Sequence, residues 1–109
     1  MKVSNMTSSN GNKVANQFLI TGCPAGTFNL ETDKEWKYER LGSGDLFQSY
    51  ETNIAYRDYL GNLYLDESSW DYSRTTSKYR NQFTGLTTAQ TKARIKDGSI
   101  KLVDLNGGG

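Results

Sequence analysis

The stretch WDYSRTTSKYRNQF, Trp70 to Phe83, gathers potential chemistry into fourteen positions. Beside Trp70 it carries Tyr72, Tyr79 and Phe83, the cations Arg74, Lys78 and Arg80, and the hydroxyls of Ser73, Thr75, Thr76 and Ser77. Cations next to hydroxyl donors suit phosphates or an acidic protein surface. Trp70 and Tyr72 could add stacking of the kind single-strand binders use, where each stacked base contributes about 1–3 kcal/mol. A second basic cluster follows at Lys92, Arg94 and Lys96. The plainer reading of both is helical: Tyr79 and Phe83 pack on a sheet, the charges face water, and the later cluster sits where cations suit a helix C-terminus. Turned the same way, the two clusters would make one patch of six cations. The candidate binding residues are therefore Trp70, Tyr72, Arg74, Lys78, Arg80, Lys92, Arg94 and Lys96.

Other chemistry is poorly supported. The chain has no His, which removes the commonest general base and metal ligand. The lone Cys23 can form neither an internal disulfide nor a thiolate cluster, and it reads as a small buried residue. Glu35-Trp36-Lys37 matches half of a metal-dependent nuclease signature, but the only upstream acids, Glu31 and Asp33, are too close to occupy a separate preceding strand. Gly42-Ser43-Gly44 lacks the Lys and helix start of a phosphate loop. The expectation is a protein without catalytic residues, metal or cofactor.

Net charge is only +1, yet it is unevenly distributed. Thr27 to Glu67 carries four basic residues against nine acidic ones, a balance of −5; Ser68 to Lys101 carries seven against two, a balance of +5. Such asymmetry either closes on itself in the fold or presents two electrostatic faces to partners. The acidic set, Glu31, Asp33, Glu35, Glu39, Asp45, Glu51, Asp58, Asp66 and Glu67, could mimic phosphates before a basic groove, with Trp36, Tyr38 and Tyr50 as anchors. Ordinary solvent-facing charge is the simpler account.

The elements that must position these groups fit one small domain, since 109 residues leave no room for a second core. Met1 to Asn12 is polar and reads as a flexible arm, residues 13–106 as a single α+β domain, and Gly107 to Gly109 as a flexible end or an appended tail. Gln17–Ile20, Glu35–Arg40, Leu46–Tyr50, Thr52–Arg57 and Leu63–Asp66 read as strands of an antiparallel sheet of four to six strands. Leu41–Asp45 reads as a turn. Ser73–Phe83 reads as a helix ended by Gly85, and a second helix begins at the capping box Thr87-Thr88-Ala89-Gln90 and stops at Gly98. Ile100–Leu105 is the final strand. No stretch approaches the roughly 20 apolar residues of a membrane span, and the first residues lack the apolar run of a signal peptide.

The run Trp70-Asp71-Tyr72-Ser73, with Thr75-Thr76, Lys78-Tyr79-Arg80, Phe83 and Gly85, resembles a family of small bacteriophage-encoded domains of uncharacterised function. Asn16-Gln17-Phe18, Phe47-Gln48-Ser49-Tyr50, Ile54-Ala55, Tyr64-Leu65-Asp66 and Gly98 to Asn106 extend the likeness, while Gly22 to Gly44 departs from it by an insertion containing Trp36. The resemblance implies a non-enzymatic phage accessory protein in the host cytoplasm. Its expected partner is a bacterial protein or ribonucleoprotein, such as a CRISPR effector that it would inhibit. Direct nucleic-acid binding by the basic helices is the alternative, and a minor virion component is a third. No membrane partner is expected, and the oligomeric state is left open.

Overall fold

A computed structural model describes residues 1–24, Phe28 and 42–106. Among them, six strands form one sheet in the order β1 (Lys2–Thr7), β2 (Lys13–Pro24), β3 (Ser43–Ser49), β4 (Thr52–Arg57), β5 (Leu63–Asp66) and β6 (Ile100–Val103). Two helices, α1 (Arg74–Thr84) and α2 (Thr88–Asp97), connect β5 to β6. This is the expected α+β fold. Pairing is antiparallel from β1 through β5, but β5 and β6 run parallel. A parallel neighbour needs a long crossover, which the helix pair provides.

Period-two alternation divides the apolar residues between the two sheet faces. Phe47, Ala55, Leu63 and Leu65 join Tyr79 and Phe83 of α1 and Ile100 in one core. Their strand neighbours Leu46, Tyr56 and Tyr64 join Ile20, Phe28, Val103 and Leu105 in another. A register shift puts Ile54 outside the regular pairing, which lets it share the helix-side core with Ala55. Phe28 packs on Tyr56 with ring centroids 5.0 Å apart. Because both faces are covered, all four residues of β5 are buried.

Three expectations change. Lys2–Thr7 is an edge strand, not a flexible arm: Val3 pairs with Ile20, Ser4 with Leu19, and Met6 is buried in the helix-side core. Ser8–Asn12 closes the hairpin through Ser8 N–H donating to Asn12 O at 2.8 Å, with Gly11 at a positive φ of 80°. Gly44 is not a turn residue but lies within β3, where an added Cβ would sit 2.1 Å from Arg57 O. The glycine permits close approach of two strands. Finally, β6 ends at Val103, and the following residues turn back to β4. Asp66, 2% exposed, accepts from Leu105 N–H at 3.0 Å, while Asn53 N–H donates to Asn106 Oδ1 at 2.8 Å. The strand expected at Glu35–Arg40, with Trp36 and Tyr38, lies outside the described residues, as does the Gly107–Gly109 end.

Candidate binding cleft at the start of the first helix

Ser73 caps α1 by accepting from Thr76 N–H at 3.1 Å, so the chain turns sharply from Asp71-Tyr72 into the helix. Arg74, Ser77, Lys78 and Asn81 then recur at helical intervals of three and four, which places them on one face. With Asp71, Tyr72, Ser73 and Thr88 they line an open cleft of about 480 Å³. Arg74 and Lys78 are exposed, and Tyr72 is 52% exposed. Arg74 makes no ion pair among the described residues, while Lys78 Nζ lies 5.4 Å from the Tyr79 ring centroid.

Arg80 corrects the sequence reading. It belongs to the other stripe of α1, with Thr76, Tyr79 and Phe83, and is fully buried. Its Nη1 donates to Trp70 O at 2.6 Å and reaches Asp71 Oδ1 and Ser77 Oγ at 3.4 Å. Its Nη2 donates to Asn81 Oδ1 at 2.9 Å and Thr88 Oγ1 at 3.0 Å. Four of these partners, Asp71, Ser77, Asn81 and Thr88, line the cleft, so Arg80 acts as a brace beneath its walls rather than as a contact for a partner. Trp70 is half-buried, packs against the helix-side core and lies under the Arg80 guanidinium at 5.2 Å.

The six-cation patch does not assemble. Arg80 is withdrawn by burial, and Arg94 Nε is bound to Ser99 Oγ at 3.0 Å at the far end of α2. Lys92 and Lys96 are exposed one turn apart on α2, but neither lines the cleft. Conversely, the sequence reading omitted Asn81 and Thr88. Their signal was present, since Asn81 lies seven residues after Arg74 and Thr88 opens the next helix behind its capping box.

Of the five acidic residues of this half that are described, three are committed within the fold. Asp58 is 5% exposed and accepts from the N–H groups of Leu60 and Asn62, which shapes the β4–β5 hairpin. Asp66 anchors the C-terminal residues as described, and Asp45 pairs with Arg57 at 3.3 Å. Glu51 and Glu67 remain exposed, whereas Glu31, Asp33, Glu35 and Glu39 lie outside the described residues. Burial drives the Tyr56 phenol well above its ordinary pKa, with Cys23, Asp58 and Asp45 adding to the shift, and its O–H donates to Cys23 O at 2.8 Å. The exposed Asp97 carboxyl falls below its ordinary value, because Ser99 hydrogen bonds favour the charged form.

Among the described residues, no group of three or more Cys, Asp or Glu is arranged to hold a metal ion, and no helix is long and apolar enough to cross a membrane. A family model matches residues 1–99, nearly the whole chain. The chain belongs to DUF8033, a family of unknown function. The DUF8033 match takes in β1, both helices and the entire cleft, and stops just before β6. No curated protein and no solved structure matches the chain.

Proposed function

We propose that the protein is a non-enzymatic binding module that engages an acidic segment of a bacterial protein through the cleft at the start of α1. The observation that supports this most is the separation of cations on one helix: Arg80 braces the walls from below, while Arg74 and Lys78 are exposed beside an exposed Tyr72. An exposed tyrosine flanked by two cations has the composition of an interface anchor. The start of a helix adds favourable dipole for an anionic group.

The scale of the cleft favours a protein carboxylate over a nucleic-acid backbone. Strong non-sequence-specific binding to nucleic acid draws on roughly 6–10 phosphate contacts. Here two cations line the cleft, and the lysines of α2 stand apart from it. The resemblance to phage domains adds a target class to this proposal, a bacterial defence protein or ribonucleoprotein whose action the bound module would inhibit. The decisive experiment is capture from bacterial lysate with tagged protein, with and without nuclease. A stoichiometric protein partner retained after nuclease treatment is the expected result. Recovery of nucleic acid alone, with every protein lost on digestion, would transfer the function to direct nucleic-acid binding.

A further inference from the structure

A second surface lies at the β3–β4 hairpin, which is closed by only two residues, Tyr50 and Glu51, between the paired Ser49 and Thr52. Tyr50 has φ 57°, at the first central position of a tight hairpin where glycine is ordinarily favoured. Asn16 in β2 also has a left-handed φ, 65°, and its carbonyl accepts from Tyr50 N–H at 2.6 Å. A bulky side chain in this conformation is strained, and Tyr50 recovers little by packing because it is 59% exposed. Fold stability therefore does not explain a tyrosine here.

The ring borders an open concavity of about 570 Å³ lined by Asn16, Phe18, Tyr50, Glu51 and Thr52. Glu51 is exposed and makes no ion pair among the described residues. We propose that this hairpin is a binding site for an arginine side chain of a partner protein, with Tyr50 supplying the ring face and Glu51 the carboxylate. Guanidinium is the fitting group because its plane stacks on an aromatic face while its N–H fork pairs with a carboxylate. Asn16 and Thr52, whose side chains carry oxygen acceptors, line the same concavity. The site's charge is opposite to that of the α1 cleft, so it takes a different part of a partner.

The test uses amide NMR spectra of the full chain titrated with a blocked pentapeptide carrying one arginine among glycines, and with the same peptide carrying uncharged citrulline. Expected are shifts at Asn16, Phe18, Tyr50, Glu51 and Thr52 with the arginine peptide, and several-fold weaker shifts with citrulline. Glu51→Gln should abolish the difference between the peptides. Tyr50→Gly should lose the response while melting at a higher temperature than wild type, since glycine relieves the strained φ. Absence of shifts, equal response to citrulline, or a response that survives both substitutions would overturn the proposal. If methylguanidine bound as tightly as the peptide, the partner would be a small cation and not a protein segment.

Discussion

Arg80 and Arg74 are six residues apart on one helix and have opposite fates. Arg74 projects from the exposed face, whereas Arg80 occupies a buried position among Thr76, Tyr79 and Phe83 and makes five polar contacts. Arg80→Ala should therefore cost on the order of 3 kcal/mol, because it leaves the Trp70 carbonyl unpaired and removes a buried stem. In a chain this size that lowers Tm by roughly 13 °C, which calorimetry would resolve. Arg74→Ala should change stability by no more than about 0.5 kcal/mol. The position of Arg80 was legible in the 3.6-residue spacing, but its charge argued for the surface. Spacing prevailed because backbone and side-chain acceptors meet both Nη groups of the guanidinium, although its buried Nε has no partner. Tyr56 gives a pH test: its phenol has an ordinary pKa of 10.0 that rises on folding. Both states are protonated below pH 10.0, so the contribution is complete there; above it the unfolded chain loses the proton first, and stability falls as pH rises. Tyr56→Phe should flatten that alkaline decline in chemical denaturation while losing about 1 kcal/mol at neutral pH with the hydrogen bond to Cys23 O.

At the scale of elements, local signals were the reliable ones. Thr87 and Gln90 form the reciprocal capping box their spacing implies, and Gly85 and Gly98 end the helices with φ of 77° and 87°. Thr87→Ala should cost about 1 kcal/mol, read as a lower denaturation midpoint with an unchanged slope. Non-local features were hidden. The edge strand β1 is polar because it buries one residue, Met6, so neither its composition nor its alternation stood out. Gly44 resembled a turn because the strand pressed against it comes from elsewhere in the chain. Adding a methyl group there, Gly44→Ala, should cost about 1–3 kcal/mol through displacement of the Arg57 backbone, again visible in the denaturation midpoint.

For the whole molecule, the −5 and +5 halves implied either a self-complementary fold or two electrostatic faces, and among the described residues folding engages part of that charge. Asp45, Asp58 and Asp66 serve hairpins, strand ends and an ion pair, while Arg80 and Arg94 serve the helices. Sequence placed candidate binding residues at Trp70 to Arg80 and at Lys92 to Lys96; burial withdraws Arg80, and of the set Tyr72, Arg74 and Lys78 line the cleft. The most direct measurement compares lysate capture by two charge-matched variants, Arg74→Glu/Lys78→Glu in the cleft and Lys92→Glu/Lys96→Glu on α2, after melting curves show both are folded. The account predicts that the cleft variant loses its nuclease-resistant partner and the α2 variant retains it. Retention by the cleft variant, or equal loss by both, would contradict the assignment of the cleft as the working surface.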